Sequence, residues 1–343
     1  MTTPYSMGEF VAQLTPLFVT ARRVWMFMHT SPDLDAVGSH VGVAAWIRHL
    51  NPTCQIRLGG ADRPRDNLLG VAAAVDPQLY QHLDPADVAF APGDVVVLVD
   101  VADIGRTSHH GVVAVPAEVP VVVIDHHRVT CDAPVQYIDA SYQSAAALVY
   151  DLLMLAEVPF TQAHFRGLIM GVLGDSGFFR FYDQRLPASL AMIQHFCTLY
   201  GVAAYYDLVD LLERNRPVSD YIVQGAYLRN LVISERFAYS TLSLADVAAM
   251  QLADDVVSGV NGAGLLRNIG TTEFVFVVKE SSPGHYRSSW RTCAGARTSV
   301  RAIVAPHGGG GHESAAGYAF AAPSMEAAVA HLLACIAAVD VAG

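Results

Sequence analysis

The sequence predicts an α/β protein of two domains: an N-terminal domain with a mostly parallel sheet flanked by helices (1–195), a helical linker (196–230) and a smaller C-terminal α/β domain (231–343). Three observations lead there. Near-continuous Val/Ile runs in the first third read as strands buried on both faces, as in a parallel sheet covered by helices. Those runs alternate with stretches of helical apolar spacing. After a long helical region, strand-like segments return beyond residue 230.

Phe10, Leu14, Leu17 and Phe18 set a helix over 6–22. Strands follow at 23–28 (RVWMFM), 54–58 (CQIRL), 94–99 (DVVVLV) and 120–124 (PVVVI), with helices between them at 36–50 and 63–74. Over 141–230, "SAAALVYDLLML", "HFRGLIMGVLGD", "PASLAMIQHFCTLY" and "AAYYDLVDLLERN" repeat apolar residues at helical spacing. "FAYSTLSL" and "TEFVFVVKE" read as strands, followed by "GHYRSSWR", a glycine-rich stretch at 308–311 and a last helix near 325–338.

Composition narrows the function. With 52% hydrophobic and 15% charged residues the chain can bury a large core, which excludes wholesale disorder. No apolar run is long enough for a membrane helix. The N-terminus does not read as a signal peptide, because Glu9 interrupts its apolar stretch and Arg22 and Arg23 follow that stretch instead of preceding it. The expectation is a cytoplasmic protein without membrane association. Five scattered cysteines with no CxxC pair argue against a disulfide framework or a thiolate zinc site. A net charge of −11 argues against long duplex DNA as partner, but not against a short phosphorylated substrate.

The chemistry gathers at strand ends. His29, Asp33 and Asp35 follow the first strand-like run, Asp100 ends "VVVLVD", and Asp125, His126 and His127 end "VVVIDHH". In open α/β sheets, ligands bind outside the carboxyl ends of the strands. Asp175, in "GVLGDSGFFRF", follows a helical run and could reach the same edge. Any one Asp in this position is more often a turn former or helix N-cap; co-occurrence on three strands overrides that reading. His109 and His110 follow no strong strand and are set aside, while Asp103, Asp132 and Asp139 are assigned to turns. If His29, Asp33, Asp35, Asp100, His126 and Asp175 converge, four carboxylates would repel one another and their pKa values would rise. Two divalent ions would cancel that charge. Carboxylates with one imidazole per cation suit Mn2+, with Mg2+, Co2+ or Fe2+ as alternatives.

"HTSPDLDAVGS", "VLVDVAD", "VIDHH" and "GDSGFF", in that order, resemble the four motifs of the DHH phosphoesterase superfamily. "GGGGHESAAG" at 308–317 resembles the signature of the DHHA1 domain that follows in one branch, and "GHYRSSWR" its substrate-facing strand. Length and domain set resemble the bacterial NrnA-type oligoribonucleases (nanoRNases), which also dephosphorylate pAp (3′-phosphoadenosine 5′-phosphate). The resemblance implies a ligand set of His29, Asp33 and Asp100 for one metal and Asp35, Asp100, His126 and Asp175 for the other, with Asp100 bridging. It implies that His127 contacts the scissile phosphate, and that Arg287, Ser288 and the loop Gly309-Gly310-Gly311-His312 hold the terminal nucleotide.

The implied reaction is metal-assisted, 3′-to-5′ hydrolysis of short RNA oligonucleotides, together with conversion of pAp to AMP and phosphate. A cyclic-di-AMP or pApA phosphodiesterase is the alternative, and a RecJ-like single-strand exonuclease a more distant one. A homodimer is compatible with the sequence. Arg180 and Arg291 are weaker phosphate-site candidates. Phe178, Phe179 and Tyr286 are readable either as base-stacking or as core residues. Departures from the family pattern fall at Arg128-Val129-Thr130, where many relatives carry Asn shortly after the triplet, and at "QSAAALVY", mainly alanine where the family often carries Thr and Glu nearby. Gly38 and Ser39 are assigned to the turn into the next helix, and His40 to that helix's surface.

Overall fold

The computed structural model describes residues 6–30, 32–60, 69–70, 73, 80–108, 111–127, 129–159, 161–180, 185–213, 217–293 and 295–342. The chain divides into two compact units, Met1–Asn215 and Arg216–Gly343.

In the first unit, β1 (Arg23–Phe27), β2 (Gln55–Gly60), β3 (Tyr80–His82), β4 (Asp94–Val99), β5 (Val121–Asp125) and β6 (Val135–Ile138) form one sheet. Its order is β3-β2-β1-β4-β5-β6, and every neighbouring pair is parallel. The chain builds outward from β1 in one direction and then returns to build from β4 in the other. The switch point of the sheet therefore lies between β1 and β4.

Alternation along the strands sends Val24 and Met26 to one face and Trp25 and Phe27 to the other; Val95, Val97 and Val99 likewise part from Val96 and Leu98. Both sets are buried, which is why these strands read as unbroken apolar runs. The first face packs against α1 (Met7–Thr20), α2 (Leu34–Leu50), α3 (Ala145–Leu155), α4 (Gln162–Asp175), α5 (Leu186–Tyr200) and α6 (Val202–Glu213), through residues such as Phe10, Trp46, Leu148, Phe165, Phe196 and Leu208. α1 starts at a capping box in which the Ser6 hydroxyl accepts from Glu9 N–H and the Glu9 carboxylate accepts from Ser6 N–H.

The second unit begins with α7 (Val218–Arg229) and holds a sheet of β7 (Val232–Ile233), β8 (Phe237–Leu242), β9 (Phe274–Ser282), β10 (His285–Thr292), β11 (Gly310–His312) and β12 (Ala315–Ala321), ordered β11-β12-β10-β9-β8-β7. All pairs are antiparallel except β8 with β9. One face packs on the C-terminal helix Met325–Ala342 and the other on α7 and the short helices of 244–266.

Several expectations change. The helix expected at 63–74 falls almost wholly outside the described residues. Strands β3, β6, β7, β11 and β12 were not expected, and the glycine loop at 309–312 includes an edge strand, Gly310–His312. Within 196–230, α6 buries Ala204, Leu208 and Leu212 in the first unit's core, whereas α7 buries Val223, Ala226 and Tyr227 in a core of the second. No helix among the described residues is long and apolar enough to cross a membrane.

Candidate metal centre

β1 and β4 flank the switch point, and each is followed closely by a titratable residue: His29 two residues past β1, and Asp100 directly after β4. β5 ends in Asp125 and hands on to His126 and His127. α2 starts in the same region. Asp33 is its N-cap, with Oδ1 accepting from the N–H groups of Asp35 and Ala36 at 3.0 Å each. Asp33 is thus both a helix cap and a member of the cluster.

Asp35, in the first turn of α2, is fully buried. It is held from across the fold by the N-terminus of α3, where Ala145 N–H donates to Oδ2 at 2.6 Å and Ala146 N–H to Oδ1 at 2.9 Å. Backbone donors at a helix N-terminus satisfy a carboxylate without any side chain, so alanines suffice at these two positions.

Asp175 closes α4, and a seam of glycines sets where α4 lies. A Cβ on Gly38 of α2 would overlap the Gly167 carbonyl oxygen, and one on Gly171 would come 2.6 Å from Asp35 Oδ1. Gly38 and Ser39 are therefore inside the helix, not in a turn: Gly38 permits the close approach, and the Ser39 hydroxyl donates to Asp35 O at 2.7 Å. His40 is not on the surface either. It is completely buried, with Nδ1 2.5 Å from Ala36 O and Nε2 3.2 Å from Phe27 O.

The six predicted ligand residues converge. His29 Nε2 lies 3.5 Å from Asp100 Oδ2 and 3.7 Å from Asp33 Oδ1. His126 Nε2 lies 3.2 Å from Asp175 Oδ2, 3.4 Å from Asp100 Oδ1 and 3.7 Å from Asp35 Oδ2. Among these six residues two groups result, His29/Asp33/Asp100 and Asp35/His126/Asp175, each with ligand atoms close enough to share one ion; Asp125 and His127 form a third such group with Asp100 and His126. The two oxygens of Asp100 face one group each. Asp100 also has φ of 62°, a left-handed backbone that a non-glycine residue holds only under constraint.

The donor set fits divalent cations. Asp100 Oδ1 and His126 Nε2 are buried and have no hydrogen-bond partner, a costly arrangement unless an ion satisfies them. On both histidines the other nitrogen meets a carbonyl, His29 Nδ1 at Thr30 O (2.8 Å) and His126 Nδ1 at Tyr142 O (3.4 Å). That assigns the proton to Nδ1 and the lone pair to Nε2, toward the carboxylates. With protein groups alone, protons must balance the charge. Burial would depress the His29 imidazole, but Asp100 and Asp33 outweigh it and push it up to about 11. His126 is likewise raised well above its ordinary value by Asp100 and Asp175 against the cost of burial. Burial and the charges of Asp100 and Asp175 raise the Asp35 carboxyl.

A model of the DHH family N-terminal domain matches residues 23–172. The bifunctional oligoribonuclease and PAP phosphatase NrnA of Thermus thermophilus is 30% identical over 297 residues, 86% of this chain and 83% of that protein. The chain belongs to the DHH family. A probable bifunctional oligoribonuclease and PAP phosphatase NrnA from Streptococcus mutans is 25% identical over 84% of this chain and 86% of its own length. The crystal structure of an exopolyphosphatase-related protein from Bacteroides fragilis matches with a TM-score of 0.80 over 98% of this chain and 97% of that one, at 18% identity, a likeness of fold. As a DHH protein with these relatives, the chain is a metal-dependent hydrolase acting on phosphoric ester bonds.

The DHH triplet holds a residue that reading for ligands passed over. Asp125 is buried, and its Oδ1 accepts from His126 N–H (2.7 Å), His127 N–H (3.0 Å) and His127 Nδ1 (2.7 Å). It aims His127, whose side chain is one-third exposed beside the cluster. The last position of a buried strand was the signal that could have marked it.

In the second unit, strand alternation separates two predicted neighbours. Arg287 is exposed, whereas Ser288 points to the opposite face, 2% exposed, where its hydroxyl donates to Tyr318 O (3.1 Å) and accepts from Trp290 Nε1 (2.9 Å). Ser289 and half-buried Arg291 share the face of Arg287. Tyr286 is core. Gly309 lies where a Cβ would meet Val304 and the Gly317 carbonyl, Gly310 opens to free space, and Gly311, at φ of 132°, packs on Ala315. The His312 backbone pairs with Ala315, while its side chain lies outside what is described, as do Arg128, His109 and His110. Arg180 Nε donates to Gly177 O at 2.7 Å.

Proposed function

We propose that this protein hydrolyses short RNA oligonucleotides from the 3′ end and removes the 3′-phosphate of pAp, using two divalent cations, with Mn2+ as the best fit. The observation that carries the reading is the placement of one carboxylate, Asp100, between two ligand groups that each contain one imidazole. His29, Asp33 and Asp100 would hold one cation, and Asp35, Asp100, His126 and Asp175 the other. Bound there, two cations supply Lewis acidity and make water a nucleophile near neutral pH.

The chain's own groups do the rest. Asp125 accepts from His127 Nδ1 and so orients the ring, from which an Nε2–H would donate to a phosphoryl oxygen. Arg287 and Arg291, on one sheet face, would pair with substrate phosphate. Opposite Arg287 and Ser289 stand Ala319 and Gly317, small residues that leave room for a nucleotide. A net charge of −11 favours a short substrate over a long one. The substrate class follows the names of the Thermus and Streptococcus relatives.

The test compares turnover of an RNA dinucleotide, a twenty-nucleotide RNA, pAp, pyrophosphate, pApA and cyclic di-AMP, with Mn2+ added after chelation. The dinucleotide and pAp are expected to lead. Preference for the long RNA or for pyrophosphate would overturn the proposal, and preference for cyclic di-AMP would replace its substrate.

A further inference from the structure

One short segment outside the predicted ligand set orients much of the centre. Residues 139–146 follow β6 and lead into α3. The Tyr142 carbonyl accepts from His126 Nδ1 at 3.4 Å, and the N–H groups of Ala145 and Ala146 hold both oxygens of Asp35. Two of the three members of the Asp35/His126/Asp175 group thus take their orientation from the same few residues of backbone.

That backbone is gripped in turn from α5. Arg185 Nη1 donates to the Tyr142 carbonyl at 2.8 Å, the same oxygen that meets His126. Ser189 Oγ donates to Gln143 Oε1 at 2.9 Å, and both of those residues are buried. Arg185 is the N-cap of α5 and Ser189 lies in its first turn, so both reach the segment from the same end of that helix. From the other side, the Tyr142 hydroxyl donates to Asp151 Oδ2 of α3 at 2.7 Å. A carbonyl oxygen has two lone pairs and can take both donors. With Arg185 on one of them, the direction of the other toward His126 is set, and with it the imidazole's tautomer and tilt.

We propose that Arg185 and Ser189 are positioning residues for the Asp35/His126/Asp175 cation site: without touching the ion, they set its affinity through the segment 142–146. The inference rests on the two-cation reading above. Groups that orient metal ligands in this way typically change affinity about 10–100-fold when removed.

The experiment is a Mn2+ titration of the full chain by calorimetry, with electron paramagnetic resonance of the bound ion. It uses the wild type, Arg185→Ala, Arg185→Lys, Ser189→Ala and Asp35→Ala, each checked for folding by circular dichroism in chelator. Arg185→Ala should weaken one of two sites about 10–100-fold and leave the other within about twofold. It should also alter the resonance spectrum and lower kcat at fixed Mn2+ with little change in KM. Arg185→Lys, which keeps a donor, should recover part of the loss, and Ser189→Ala should weaken the same site less.

Both sites staying within twofold of wild type in Arg185→Ala, while Asp35→Ala loses one site, would overturn the positioning role alone. Two unchanged sites in Asp35→Ala would overturn the cation reading itself. Should Arg185→Ala not fold, Ser189→Ala, which deletes a single hydroxyl, carries the same criterion.

Discussion

Asp100 stands in the middle of the acidic cluster, with one oxygen toward His29 and the other toward His126. Its left-handed backbone is tolerated by Asn as well as Asp, so Asp100→Asn should fold, as circular dichroism in chelator would register. It should nonetheless lose cation loading and, with several kcal/mol of transition-state stabilisation removed, on the order of 10^3-fold in kcat. Mn2+-dependent turnover within tenfold of wild type would refute the bridging role. His40 makes a different point at the same scale. Burial drives its pKa from 6.5 to about 4, against the pull of the Ala36 carbonyl and Asp100. The fold therefore holds the neutral ring, and stability is lost as pH falls from about 6.5 through 4, by about 3 kcal/mol. Urea unfolding of wild type and His40→Gln at pH 7 and pH 4 checks this: the wild type should lose about that much more than the variant. A histidine thirteen residues past β1 gives no sign in sequence of being enclosed. α2 is covered on every side over 35–47, so no polar stripe marks which residues face water.

At the scale of elements, the α2–α4 seam places Asp175 beside Asp35. Gly38→Ala should push the helices apart and destabilise by about 1–3 kcal/mol, because the atom it meets is backbone and cannot rotate away. The same variant should weaken Mn2+ binding. Gly225→Ala is the contrast: on α7 its Cβ meets nothing, so it should stabilise by about 0.5–1 kcal/mol through helix propensity alone. Thermal unfolding of the two variants decides both. The long parallel strands were legible because burial on two faces leaves a run of Val and Ile. β3, β6 and β11 were not, being short strands at sheet edges, and β12, one strand in from the edge, was not because it is rich in small residues and largely exposed on one face. Ser288 was misplaced for a related reason: an adjacent pair on a strand always divides between faces.

Over the whole molecule the centre couples charge to stability. His29, His126, Asp35 and Asp175 all bind protons more tightly in the fold than outside it. Without cations, their contribution is present at low pH and lost as pH rises, for His29 through the range from about 6.5 to about 11. A cation must displace those protons. The rise in melting temperature on adding Mn2+ should therefore grow between pH 6 and 8, and calorimetry in buffers of different ionisation enthalpy should register proton release. A rise independent of pH would refute this coupling.

The sequence by itself determined the parallel sheet and the carboxylates and imidazoles at its strand ends, since buried strands and potential ligand side chains leave their mark in residue type and order. Only the tertiary structure decided that Asp100 turns one oxygen to each group, that two alanine N–H groups hold Asp35, and that "HTSPDLDAVGSH" carries its last histidine into the core. These depend on backbone direction and on the close approach of segments more than a hundred residues apart, neither of which residue type encodes.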